Sequence, residues 1–267
     1  MPGIEELRER ANKVRDKRAS LGADIDLEGF EKTSAPHEYL SDDDLLALPQ
    51  GEQKRLLLAG LDVTKKGRGG TYFQKDTSVV HCGTNQEDIE VLPIRQALKN
   101  CDWIWDYYWK LVQVDTDKYT AAAELDLHDG YVIRSLPGTK SIYPIQACLY
   151  IDKEGLRQNV HNIIIAEEDS ELHIITGCST SPHIKRGAHV GISEFFVKKN
   201  AKLSFTMIHN WAEEMVVRPR SVAEVEAGGL FLNNYICMKP VRSIQMYPTT
   251  YLVGEDAVAR FYSIIVG

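Results

Sequence analysis

The segment His173–Gly187 reads HIITGCSTSPHIKRG, and its one thiol, Cys178, follows a glycine at the end of an apolar alternation and precedes a Ser/Thr/Pro turn. A thiolate, not a thiol, attacks a persulfide sulfur or binds iron. A cysteine with an ordinary value of about 8.5 therefore needs a neighbouring base or cation. His173, His183 and the pair Lys185 and Arg186 stand within ten residues of the thiol. The competing reading is that Cys178 is a small buried hydrophobe, the usual fate of a free cysteine.

Other residues invite weaker chemistry. KKGRGG, Lys65 to Gly70, lacks the spacing of a phosphate loop and is followed by the strand-like TYFQKDTSVVHC, so it reads as a flexible turn. His81 and Cys82 alternate on one strand and point to opposite faces, which prevents them from sharing a metal. Cys101 and Cys148 lie in apolar surroundings. Glu167, Glu168 and Asp169 are three adjacent acids of the type that a carbohydrate-active enzyme would need in a spaced pair, but in a turn they read as solvated.

The elements that position these groups divide by texture. Ile4, Leu7, Ala11 and Val14 fall at helical spacing among charges, which predicts an amphipathic surface helix. SDDDLLALPQGEQKRLLLAGL predicts a second helical region capped by Ser41 or Asp42. Between Ile89 and Val112, Trp103, Trp105 and Trp109 predict a packed helix, because large aromatics dominate core burial. From about Tyr119 onward the chain becomes short alternating strands.

Those strands repeat. Asp129-Gly130, Asp169-Ser170, Asn200-Ala201, Ala227-Gly228 and Asp256-Ala257 each lead into a variable residue and then an apolar one, with starts separated by 40, 31, 27 and 29 residues. A period near 30 with frequent Val, Ile, Phe and Tyr predicts a coiled β-solenoid, with a Greek-key sandwich as the alternative. In a solenoid, residues one rung away are close. His161 and His209 thus join the possible supports of Cys178, and Cys237 approaches it if the rungs stack in register. The pattern stops at FYSIIVG within a strand, so the solenoid is expected to be cut short or to rely on a partner at its edge.

Composition narrows the function classes. The 267 residues suffice for a real core, and a net charge of −7 argues against binding the phosphates of nucleic acid. No apolar run reaches membrane-span length and the charged N-terminus lacks a signal-peptide core, so a cytoplasmic protein with no membrane partner is expected. The five scattered cysteines, at 82, 101, 148, 178 and 237, are expected to be reduced.

YVIRSLPGTKSIYPIQ, NIIIAEEDSELHIITGCSTSP, FTMIHNW and FYSIIVG, in that order, together resemble the SufB/SufD family of iron–sulfur cluster assembly proteins. With TYFQKDTSVVHC the resemblance covers roughly Thr71 to Gly267. It implies an α+β protein in which an N-terminal helical or mixed domain, residues 1–117, precedes a right-handed parallel β-helix, residues 118–267. The resemblance also implies a C-terminal helical domain in the family, which is expected to lie outside this sequence.

The resemblance further implies a scaffold, not an enzyme, that accepts sulfur and builds a nascent Fe-S cluster. ATP would act only through a separate SufC-type ABC ATPase partner, and reduced flavin is an implied reductant. Sulfur would come from a donor protein or as sulfide. A SufD-like interaction scaffold without sulfur chemistry is the alternative function, and a carbohydrate-active β-helix enzyme the least favoured.

TGCSTSP matches the SufB segment that carries the proposed sulfur acceptor, which falls on Cys178. His183 and His161 are its candidate supports, and Cys178 with Cys237 the candidate metal thiolates. The chain departs from SufB one rung upstream, where an arginine, an asparagine and a glutamate support sulfur passage. Here that stretch is YIDKEGLRQNVHN, with Val160 and His161 around the glutamate's place. Such divergence resembles short archaeal-type homologues, in which a homodimer stands in for a SufB–SufD heterodimer.

Overall fold

The computed structural model describes residues 3–64 and 66–266. Helix α1 (Ile4–Lys13) carries Glu5 and Glu6 in its first turn and Arg10 and Lys13 in its last, matching the helix dipole, and it buries Ala11. Helix α2 (Asp42–Ala47) starts at a capping box. The Ser41 hydroxyl accepts from the Asp44 N–H, and the Asp44 carboxylate accepts from the Ser41 N–H. The region expected to continue as one helical stretch is divided by Pro49, after which α3 (Gln50–Leu58) begins, because proline does not continue a helix.

In KKGRGG, Lys65 lies outside the described residues. Lys66 and Gly67 form a turn, and the buried Arg68 bonds Thr71 and Asp42, so this part of the segment is anchored. An antiparallel hairpin follows, β1 (Gly70–Lys75) with β2 (Ser78–Thr84). Then come β3 (Ile89–Pro93), α4 (Ile94–Asn100) and α5 (Lys118–Leu125).

The segment from Ile89 to Val112 is therefore not the single helix expected from its tryptophans. It is a strand, a short helix, a 3-10 turn over Asp102–Asp106 and an irregular loop. The cause is one buried acid. Trp109 adopts a left-handed φ of 56°, and the N–H groups of Trp109, Leu111 and Val112 donate to the Glu194 carboxylate at 2.9, 2.5 and 2.9 Å. His161 Nε2 completes the set at 2.8 Å. A buried carboxylate needs such donors to remain in place, and consecutive helical residues would keep these N–H groups inside the helix.

The remaining strands are β4 (Tyr131–Ser135), β5 (Ile145–Ile151), β6 (Arg157–Ala166), β7 (Glu171–Thr180), β8 (Arg186–Val197) and β9 (Lys202–Asn210). They continue as β10 (Glu214–Val217), β11 (Arg220–Val225), β12 (Leu230–Cys237), β13 (Ser243–Ile244), β14 (Thr249–Leu252) and β15 (Val258–Ile265). One sheet runs β15-β12-β9-β7-β5-β1-β2 and the other β13-β10-β8-β6-β4-β3, with β11 joining β8 to β14. Apart from the pairs β1–β2 and β3–β4, the neighbours are parallel. This is a parallel β-solenoid, not a Greek-key sandwich, and it also incorporates β1, β2 and β3 from before residue 118.

The turns that stack are Gly138, Asp169, Asn200, Gly228 and Asp256, all left-handed with φ between 56° and 73°. Each of the first four donates its N–H to the carbonyl preceding the next. The repeat therefore begins at Gly138 and not at Asp129, and its fourth member is Gly228, not Ala227. Asp129 instead bridges to Val160, and Gly130 lies so close to the His161 backbone that a Cβ would come within 2.0 Å of its carbonyl oxygen. Glycine is required there.

Between the sheets lies an apolar core that includes Tyr131, Ile145, Leu149, Ile164, Ile174, Phe195, Phe205 and Phe231. On the edge strand β15, Phe261, Tyr262, Ile264 and Ile265 are exposed. No helix among the described residues is long and apolar enough to cross a membrane.

The Glu194 cluster makes a testable demand. Glu194→Ala leaves three backbone donors and His161 without their acceptor, and the expected loss is about 3 kcal/mol in urea unfolding. Glu194→Gln should lose less, and a loss below about 0.5 kcal/mol for the alanine variant would show that the cluster does not hold the loop.

Candidate functional site

Strand β7 alternates so that Leu172, Ile174, Thr176 and Cys178 face the core between the sheets, while Glu171, His173 and Ile175 face outward. Gly177, also outward, lies beneath the end of α3, where a Cβ would stand 1.6 Å from the Ala59 carbonyl oxygen. A side chain at position 177 would displace α3, so the glycine lets the helix seal the outer face of the strand that carries the thiol. Cys178 itself is fully buried.

Register determines its neighbours. Leu149, Cys178, His209 and Cys237 occupy one column on β5, β7, β9 and β12. Successive rungs are about 4.8 Å apart, so His209 is beside Cys178 while Cys237 lies about 10 Å away across the histidine. Cys237 donates its S–H to the Lys239 carbonyl at 3.2 Å. The two cysteines thus share a face but not a single ion, and among the described residues no three His, Cys, Asp or Glu side chains converge on a metal position.

A polar band crosses the apolar interior at this level. Gln158 Oε1 lies 3.1 Å from His189 Nδ1, the His189 ring packs on Trp211 at 5.0 Å, and Trp211 packs on His209 at 5.6 Å. His209 Nδ1 lies 3.0 Å from the Tyr235 hydroxyl. His209 Nε2 and Trp211 Nε1 are buried without a hydrogen-bond partner. In the tautomer where Nδ1 donates to Tyr235, Nε2 carries a free lone pair in the buried interior.

Burial sets the protonation states. Desolvation pushes the Cys178 thiol well above its ordinary value, with neighbouring Cys148 adding to the effect, so the resting side chain is a neutral thiol. The same cause lowers His189 and His209 to about 3, leaving both imidazoles neutral. A dry thiol next to a neutral imidazole can lose its proton to that base when a sulfur electrophile arrives, without a standing buried charge.

A surface cleft lies at the end of β7 and β9. This cleft of about 550 Å³ is lined by Arg55, Thr180, Lys185, Asn210, Trp211 and Lys239 among others, and Asn210 Oδ1 is buried and unpartnered at its edge. The cleft thus joins cationic side chains at the surface to the indole that contacts His209.

The other candidates lie elsewhere. His161 points out of β6, away from the core, where it stacks on Tyr108 at 4.8 Å and serves the Glu194 cluster. The inward positions of β6 are Gln158, Val160, Asn162 and Ile164. His183 is exposed, bonding Ser181 and the Asp152 carbonyl. His173 pairs outside with Glu171 at 3.4 Å. Arg186 lies over Phe30, and Glu154 holds the backbone of Lys185.

Of the three adjacent acids, Glu167 pairs with Arg134 at 2.7 Å, Glu168 with Lys199 at 3.6 Å, and Asp169 accepts from Asn200 at 3.0 Å. They brace the stacked turns. Cys82 donates to the Val91 carbonyl, and burial pushes its thiol up to about 12. Sequence reasoning missed Trp211 and Tyr235, whereas His189, read as either a surface or a satisfied core residue, is in the core. The available signal was the repeat itself: steps of 31 and 28 from Cys178 land on His209 and Cys237.

Comparison with known proteins gives a consistent picture. Residues 149–267 match the family described as SUF system FeS cluster assembly, SufBD core domain. An iron–sulfur cluster assembly SufBD family protein of Methanothermobacter thermautotrophicus is 46% identical over 263 residues, which is 97% of this chain and 64% of the relative. One from Archaeoglobus fulgidus is 49% identical over 215 residues, covering 80% of this chain and 58% of the relative. The iron–sulfur cluster assembly protein SufB of Bacillus subtilis is 29% identical over 237 residues, 86% and 48%. The chain spans less than two thirds of the length of these relatives.

The depressed histidines predict an acid limb of stability. Above pH 6.5 both imidazoles are neutral folded or unfolded; below it the unfolded chain binds protons that the folded chain refuses until about pH 3. Stability should therefore fall as pH drops from 6.5 towards 3, and His209→Gln should flatten the fall in thermal unfolding curves. An unchanged slope in that variant would mean that His209 titrates normally in the folded protein.

Proposed function

The chain belongs to the SufB/SufD family of iron–sulfur cluster assembly proteins, and from that premise we propose that it is a scaffold which takes up sulfur on Cys178 and passes it into a nascent cluster. The observation that carries this reading is the register pairing of a buried thiol with an unpartnered buried imidazole, whose ring packs on Trp211 at the lining of a surface cleft.

The chemistry proceeds in two steps. In the first, Cys178 Sγ loses its proton to His209 Nε2 and attacks the outer sulfur of a donor persulfide. A new S–S bond forms to Cys178, the donor's S–S bond breaks, and the donor leaves as a thiolate. In the second, release of that sulfur as sulfide takes two electrons, for which reduced flavin is the proposed diffusible co-substrate. Iron and sulfide are the scaffold's substrates and the cluster is its cargo. Cys237, one rung beyond His209, is the proposed thiolate next in line.

On this reading ATP is hydrolysed by a separate SufC-type ABC ATPase, and the scaffold pairs with a second SufB/SufD-type subunit, a copy of itself or a related chain. The full burial of Cys178 suits such work, since it keeps a reactive sulfur from stray thiols until its acceptor is in place.

The test is anaerobic reconstitution of the full protein with its ATPase partner, iron and a persulfide donor, followed by visible absorbance. Cys178→Ala should abolish donor-dependent cluster formation, and His209→Gln should slow persulfide uptake at least tenfold, as expected for loss of a general base. Assembly by Cys178→Ala at the wild-type rate would overturn the role of Cys178 and favour an interaction scaffold without sulfur chemistry.

A further inference from the structure

A second cavity lies away from Cys178 and its cleft, on the helical side of the molecule. Its volume is about 650 Å³, within the range of about 300–1,000 Å³ typical of small-molecule sites. Its apolar lining includes Ile4 of α1, Leu98 of α4 and the Leu125 and Leu127 side chains at the end of α5. Arg95 and Lys99, one turn apart on α4, lie at the rim, and Arg8 and Lys32 complete a cationic border.

The charges at this rim are not all spent. Two carboxylates also line the cavity, but both are already engaged. Glu124 Oε2 accepts the Tyr108 hydroxyl at 2.6 Å and Trp109 Nε1 at 2.8 Å. Asp126 pairs with Arg157, and Lys32 lies 3.8 Å from it. Arg95 and Lys99 are exposed. The Arg95 backbone N–H donates to the buried Asp129 carboxylate at 3.3 Å and its guanidinium charge favours that carboxylate's ionised form, but the Arg95 head itself faces solvent. On a chain of net charge −7, two exposed cations above an aliphatic floor, only one of them coupled to a buried carboxylate, form a local field of opposite sign to the whole.

We propose that this cavity binds a small anionic molecule with an apolar body, such as an alkyl or aryl phosphate, sulfonate or carboxylate. Its head group would pair with Arg95 and Lys99, and its body would cover Leu98, Leu125 and Leu127. A bare inorganic anion would gain only exposed ion pairs, which are weak, whereas the aliphatic floor rewards an attached apolar group. The site is independent of Cys178, because the cavity does not include that thiol or its cleft.

The test uses the full chain and 8-anilinonaphthalene-1-sulfonate as the first probe. Fluorescence should rise to saturation at one site per chain, and dodecyl phosphate should displace the dye, whereas inorganic phosphate at the same concentration should not. Arg95→Glu with Lys99→Glu should weaken binding at least tenfold while the thermal midpoint stays within a few degrees of wild type. Leu98→Ser, in which the cations are retained, should weaken dodecyl phosphate more than it changes the salt dependence of dye binding. Equal dye binding by the charge-reversed variant, or displacement by inorganic phosphate as effective as by dodecyl phosphate, would overturn the proposal.

Discussion

A parallel rung satisfies its backbone N–H and C=O groups on the rung before and the rung after, and that requirement determines which side chains meet across the interior. Nothing in the local sequence of β7 brings Cys178 to His209. The ladder does so, because Glu171 pairs with Lys202 and the register then runs unbroken to Ser179 and Asn210. A shift of one residue would turn Cys178 outward towards α3 and place Gly177 inside. The stacked left-handed turns hold that register. Asp169, Asn200 and Gly228 each donate to the next turn, and the side chain of Asn200 bonds Asp169 across the step.

The same constraint explains how the first part of the chain is attached. A solenoid presents outward-facing side chains in rows, and Glu194 and His161 are two such neighbours on β8 and β6. They would be costly beneath a helical layer unless their polar atoms found partners, and the loop around Trp109 supplies these from its own backbone. Arg157, Arg218 and Arg220 repeat the principle elsewhere. Each is buried, and their guanidinium groups bond Leu27 O, Ala23 O and the Asp117 carboxylate respectively. The helical part is thus attached through buried polar pins as well as through its apolar contacts.

How much of this was legible follows from the range of the forces involved. Asp169, Asn200 and Asp256 announce turns because Asn and Asp tolerate left-handed backbone, and three of the five repeat positions are readable from that preference alone. Asp129-Gly130 shows the same dipeptide chemistry for a different reason, the close approach of the His161 backbone, and so it imitates a repeat start. Ser41 and Pro49 mark helix ends through local sterics and hydrogen bonding, although the apolar pattern runs on across Pro49. The loop at Trp109 was not legible, since its conformation serves an acid more than eighty residues later. The SufB-like TGCSTSP segment made Cys178 visible, whereas its partner emerged only when the rungs were counted.

A fully desolvated thiol is a poor nucleophile at rest, and among the described residues no cation acts on Cys178 to change that: His183 is exposed, Glu154 holds the backbone of Lys185 and Arg186 lies over Phe30. A lowered thiol pKa, the common route to a reactive cysteine, is therefore not the device available to the proposed chemistry at Cys178. Two routes remain within the physics of the site. Water entering through the cleft past Trp211 would reduce the desolvation, or the proton would move to His209 as sulfur arrives. The second keeps charge separation to adjacent rungs and needs no solvent. It also accounts for a buried histidine that has one nitrogen on Tyr235 and the other on nothing. His209 Nε2, Trp211 Nε1 and Asn210 Oδ1 are buried together without partners, each at a cost in stability, and on the proposed reading a transient proton is what the first of them receives.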